Sequence, residues 1–159
     1  MFIMMMEVDF MWNDKKSISL SKICILAFAV MLVYTAVTAP WLVRRLIDFS
    51  RADLYGKESF FLLTIYLGSV PAAILLFCLY RLLHRIELEQ VFVATNVECL
   101  RRISWSCFCG AIISLISTFY YFPWIFIAVA AAFMGLIVRV VKNVVAQAVE
   151  LKNESELTI

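Results

Sequence analysis

Apolar residues run along this chain in long stretches that no charged position interrupts, unlike the one-sided periodicities of a water-soluble helix or strand. From Ile103 to Val138, thirty-six consecutive residues carry no charge. As one straight helix that stretch would be about 54 Å long, far beyond a hydrocarbon core of roughly 30 Å. Pro123, inside the aromatic cluster Phe119-Tyr120-Tyr121-Phe122-Pro123-Trp124, divides it into two spans, roughly 103–122 and 124–145. Proline suits the first turn of the second helix, where its missing N–H has no intrahelical acceptor to lose. Two more uncharged runs come first, at 23–43 and 59–80, the latter interrupted by Gly68 and Pro71. A proline there predicts a packed kink, with neighbours re-satisfying the freed carbonyl. The pattern predicts an all-α integral membrane four-helix bundle: a segment 1–22, a four-span domain over 23–145 and a tail 146–159.

Between the runs lie the charges. Arg44 to Glu58 forms a first loop with Gly56 as its breaker, and Arg81 to Arg102 a second, made of helix ends plus a short amphipathic segment at the membrane surface. The last helix is expected to continue past the hydrocarbon edge, with Val141, Val144, Ala148 and Leu151 along one side. Lys15, Lys16, Lys22, Arg81, Arg85, Arg101, Arg102, Arg139, Lys142 and Lys152 fall on one side of the bilayer, ten in all. Arg44, Arg45, Arg51 and Lys57, four in all, fall on the other. That asymmetry places both termini and the second loop in the cytoplasm, with Trp41, Tyr120 and Trp124 marking the outer interface and Trp12 and Trp105 the inner one. Lys15 and Lys16 also suit the start of a signal peptide cut near Val37-Thr38-Ala39, but the apolar run is too long and continues through Val43.

Composition agrees with a membrane protein: 64% of residues are hydrophobic and 16% charged, against a net charge of only +2. That charge is too small to predict direct binding of nucleic acid. No ionisable side chain falls near the middle of a span, which argues against a proton-coupled transporter or an intramembrane hydrolase. His84, the single histidine, sits at the inner end of the second span, where it suits either pH sensing or a plain interfacial role. Cys24, Cys78, Cys99, Cys107 and Cys109 show no metal-ligand spacing, and no phosphate loop, nucleophile elbow or HExxH is present. A non-enzymatic protein without cofactor or metal is expected. Ser106, Gly110, Ser114 and Thr118 repeat every four residues, and Ala128 with Ala132, and Ala131 with Gly135, do the same on the next span. Such stripes let helices approach closely, either within the hairpin or across a homodimer seam.

The closing stretch Ala148-Val149-Glu150-Leu151-Lys152-Asn153-Glu154-Ser155-Glu156-Leu157-Thr158-Ile159 resembles the C-terminal signature of the YoaS-like family of small bacterial membrane proteins. The segment Phe92 to Arg102, with Asn96-Val97-Glu98 and Leu100-Arg101-Arg102, resembles that family's second loop, and the resemblance extends from the first span to the end. The Met-rich Met1 to Asp9 has no counterpart, and Val93-Ala94-Thr95 is less polar than the family pattern. The resemblance implies a four-span bundle of the bacterial plasma membrane and a regulatory role, because genes of this family often neighbour one for a very small helix-turn-helix regulator. Arg101, Arg102, Glu150, Lys152, Glu154, Glu156, Leu157 and Ile159 are then the expected docking residues. Two alternatives need no catalytic residue: self-protection against a peptide toxin through the Arg44–Glu58 loop, and a small transporter subunit.

Overall fold

The computed structural model describes residues 2–50 and 56–157, with side chains from Ser17 onward except that of Glu156. These residues form four helices and no strand: α1 (Phe2–Phe49), α2 (Glu58–Glu87), α3 (Ala94–Ser117) and α4 (Trp124–Leu157). Each is long and apolar enough to cross a membrane, which makes the chain a multi-pass membrane protein by length and composition. The helices overrun the expected spans, and the two outer ones do so most. At 1.5 Å per residue α1 is about 72 Å long and α4 about 51 Å, so both project beyond a core of roughly 30 Å.

The second loop contains the expected helix ends and differs only in its amphipathic segment. Arg81 to Glu87 continues α2, and the stretch expected as a surface amphipathic segment is the start of α3, which leaves a turn at 88–93. Helix α2 ends because Glu89 adopts a left-handed φ of 60°. Its N–H bonds the carbonyl of Ile86 at 3.0 Å, and the N–H of Gln90 bonds that of Arg85 at 3.0 Å, the two bonds of a Schellman cap. Asn96, 1% exposed, holds the turn from the other side: its Nδ2 donates to the carbonyls of Gln90 and Val91 at 2.7 and 2.8 Å.

The terminal hairpin is cut at Ser117 rather than at Phe122. Ser117 and Thr118 return their hydroxyls to the carbonyls of Ile113 and Ser114, and the following residues leave the helix. Tyr120 and Tyr121 then fold onto Phe61 of α2, with ring centroids 4.8 and 5.5 Å away. Pro123 precedes α4 directly, where its lack of an N–H is harmless. Helix α2 passes through Pro71 and α1 through Pro40. Just before Pro40, Thr35 and Thr38 bond the carbonyls of Met31 and Tyr34 at 2.8 and 2.7 Å.

Packing follows chain order: α1 on α2, α2 on α3, α3 on α4. Among the described residues α1 and α4 do not pack directly on each other, so the bundle is open along one seam. Helix α3 is the most enclosed of the four and also the least apolar. It buries Asn96, Ser104, Ser106, Ser114 and Ser117, while Trp105, Ile112, Leu115 and Ile116 face outward. Small and hydroxylated groups inside, bulky apolar ones outside, is the arrangement a lipid solvent favours.

Candidate functional site

Two ends of the bundle carry chemistry. At the basic end meet the charged part of α1, the end of α2, the start of α3 and the middle of α4. Lys22 of α1 donates to Glu87 of α2 and lies 3.3 Å from Nδ1 of His84, which is 3.5 Å from the same carboxylate. Glu87 stands beyond the uncharged run 59–80, and the bond from Lys22 holds its carboxyl below the usual carboxylate range. His84 is thus part of a clasp between two helices. On the neighbouring face, Glu98 pairs with Arg101 at 2.8 Å and with Arg102 at 3.3 Å, and Arg101 foremost lowers its pKa. Arg101 also shares a small pocket of about 80 Å³ with Ser104, Trp105, Arg139 and Lys142. Arg139 and Lys142, which no sequence pattern singled out for binding, make no ion pair among the described residues.

The structure does not gather all the expected docking residues at one point. Arg101 is level with Arg139 and Lys142, whereas Glu150 lies eleven residues, about 16 Å, further along α4. Glu150, Lys152, Glu154 and Leu157 are all exposed on that projecting helix. The Glu156 side chain and Ile159 lie outside the described residues, as do positions 51–55 of the loop expected to face a toxin.

The small-residue stripe is used inside the molecule. Gly135 is buried against α3, where an added Cβ would stand 3.2 Å from Cβ of Cys107 and 3.3 Å from the Phe108 ring. Ser104 donates to the Gly135 carbonyl at 2.9 Å in the same place. Ser106, Ser114 and Ala128 are buried, and Thr118 and Ala132 half-buried, so little of the stripe remains for a homodimer seam. Gly110 differs: a Cβ there would meet nothing within 4 Å, because it faces a cavity.

That cavity, about 270 Å³, lies between all four helices and is lined by Thr35, Thr64, Gly68, Ser69, Gly110 and Ser114 among others. Beside it, Thr64 Oγ1 contacts Ser117 Oγ at 2.7 Å and accepts from the Tyr120 hydroxyl at 2.7 Å, tying α2 to the hairpin turn. Toward the aromatic end a larger cleft of about 790 Å³ opens between α1 and α4. Its walls include Leu42, Leu46, Phe49 and Trp124, with Phe61 and Ile65 as floor and Arg45 and Asp48 as its charged members. Arg45 sits 5.2 Å over the Trp41 ring. The Nε1 of Trp124 is buried and has no hydrogen-bond partner, the one such side-chain atom among the described residues. Sequence reasoning placed Trp124 at an interface but had no means of finding its orphan donor.

No group of His, Cys, Asp and Glu among the described residues is placed to hold a metal ion. The family model described as "Protein of unknown function (DUF2975)" matches residues 41–159, which leaves Met1 to Pro40 outside the match. No curated protein and no solved structure matches the chain.

Proposed function

The chain belongs to the DUF2975 family, whose function is unknown, and from that premise we propose a YoaS-like, non-enzymatic regulatory protein that holds a small helix-turn-helix regulator at the bacterial plasma membrane. In this proposal the basic end faces the cytoplasm, since short cytoplasmic loops carry the excess of Lys and Arg. The regulator docks on the end of α4, with Arg101 and Arg102 at the near edge of the contact surface.

The observation that supports this role is the projection of α4. It stays helical to Leu157, fifteen residues and about 22 Å past Lys142, while Leu151 and Leu157 are 66% and 86% exposed. An apolar stripe on a helix standing clear of the bilayer is a surface for a partner, and an amphipathic helix laid into a groove is a common way to use it. Glu150 and Glu154 flank that stripe, and their charge complements the basic face a DNA-binding domain turns to phosphate. Docking there would cover that face and keep the regulator off DNA.

The test is to co-express the chain with a candidate small helix-turn-helix protein, sought among the products of neighbouring genes, and to purify it in mild detergent. The intact chain should retain the regulator, and a chain ending at Lys152 should lose at least tenfold of it. Retention by neither chain, or equally by both, would remove the proposed dock.

A further inference from the structure

The open seam between α1 and α4 holds a cleft of about 790 Å³, and four observations indicate its occupant. The first is its shape. The cleft of about 790 Å³ and the central cavity of about 270 Å³ share Ile65, Trp124 and Ile127 as lining, so one continues into the other. From Asp48 at the mouth to Leu32 at the inner end is sixteen residues of α1, about 24 Å, long enough to take an acyl chain that enters from one face of a core of roughly 30 Å. The second is its polarity: charge is confined to the mouth, at Arg45 and Asp48, and the rest is mainly apolar.

The third is the Trp124 indole, whose buried N–H has no acceptor within the protein. A buried donor left unpaired forfeits the hydrogen bond it had in water, so an acceptor supplied from outside would bind with advantage. Trp124 stands in the first turn of α4, and tryptophan favours the membrane interface, the region that holds a phospholipid's ester carbonyls. The fourth is the charge pattern. Arg45 and Asp48 are one turn apart on α1 and make no ion pair with each other. A guanidinium and a carboxylate so placed match a headgroup that carries a phosphate and an ammonium together.

We propose that this seam is a binding site for one aminophospholipid of the phosphatidylethanolamine type, drawn from the surrounding bilayer. Its phosphate lies against Arg45 and its ammonium against Asp48. An ester carbonyl accepts from Trp124 Nε1, and one acyl chain passes Ile65 and Ile127 to end beside Gly68 and Gly110. The lipid completes a bundle that α1 and α4 leave open. The proposal is independent of the regulator, because it concerns the opposite end of the molecule.

The test uses the full chain in nanodiscs, with Trp12, Trp41 and Trp105 changed to Phe so that Trp124 is the sole tryptophan fluorophore. Phosphatidylethanolamine with brominated chains should quench Trp124 at about a tenfold lower mole fraction than brominated phosphatidylglycerol, the fold-change of one charge-assisted hydrogen bond. Asp48→Asn should abolish that preference with the fold intact. Gly68→Leu, at a position where an added Cβ meets nothing within 4 Å, should fill the inner end and lower phosphatidylethanolamine retention in native mass spectrometry. Equal quenching by both lipids would reduce the seam to ordinary boundary lipid and overturn the proposal. A lipid-free dimer by native mass spectrometry would overturn it too, assigning the seam to a second copy of the chain.

Discussion

Single residues in this molecule are placed more by backbone geometry than by hydrophobicity. Glu89 occupies the left-handed position of a Schellman cap, which a side chain with a Cβ enters at a cost of roughly 1–2 kcal/mol that glycine avoids. Glu89→Gly should therefore stabilise the protein by about 1 kcal/mol in a detergent unfolding titration, with no change in the helices. The two glycines of the hairpin should respond in opposite directions. Gly110 faces a cavity, so Gly110→Ala should recover the helical propensity difference of about 0.5–1 kcal/mol. At Gly135 the new methyl would meet Cβ of Cys107, which is fixed to the α3 backbone and cannot rotate away. Separating the helices also stretches the Ser104 hydrogen bond, so Gly135→Ala should lose on the order of 1 kcal/mol despite the better propensity. Equal responses at the two positions would contradict the packing described for the hairpin. The repeat of small residues was legible in the sequence, but not which glycine touches a neighbour, since spacing of four residues fixes only a face.

At the level of elements, the four apolar runs and the continuation of α4 past the hydrocarbon edge were legible, and the exact helix ends were not. Charge marks where a helix leaves the hydrocarbon, whereas the helix itself ends where a cap, a proline or a tertiary contact ends it. Arg81 to Glu87 and Arg139 to Leu157 are helical although polar, because neighbouring helices and water satisfy their side chains equally well. The clasp of Lys22, His84 and Glu87 joins two such polar ends across more than sixty residues of sequence, a pairing no local pattern announces. Its pH response follows from the lowered pKa of Glu87. A carboxylate lowered in the folded state contributes above its ordinary pKa and loses that contribution as pH falls through the lowered value. Hydrogen exchange of the α1 amides around Lys22 should therefore speed up on acidification relative to Glu87→Gln, in which the carboxylate clasp is already absent at neutral pH. Identical exchange in the two proteins at all pH values would mean that the clasp does not restrain α1.

For the whole molecule, a membrane solvent reverses the usual guide to the interior. The most apolar helices, α1, α2 and α4, are the least enclosed, and the hub is α3 with its serines and cysteines. An apolar profile therefore counts spans well and orders them poorly, which is why neither the α1–α4 seam nor the Arg101–Arg139–Lys142 pocket could be read from it. The contacts of Lys22 with Glu87, and of Arg101 with Arg139 and Lys142 around one pocket, bring the start of α1 and the projecting part of α4 to the same end. Lys57 and the 118–123 turn lie at the other, joined through the packing of Tyr120 and Tyr121 on Phe61. Single cysteines at Ser21 and Ser155, in a chain whose five native cysteines are changed to Ser or Ala, should thus share one accessibility to an impermeant maleimide. Cysteines at Lys57 and Phe122 should share the opposite one. In the proposed orientation the first pair is cytoplasmic, so intact cells should label only the second pair and broken cells all four. Inverted labelling would leave the bundle standing and remove the cytoplasmic dock with it. Labelling of Ser21 and Ser155 from opposite sides would mean an odd number of crossings, and the four-span arrangement itself would fail.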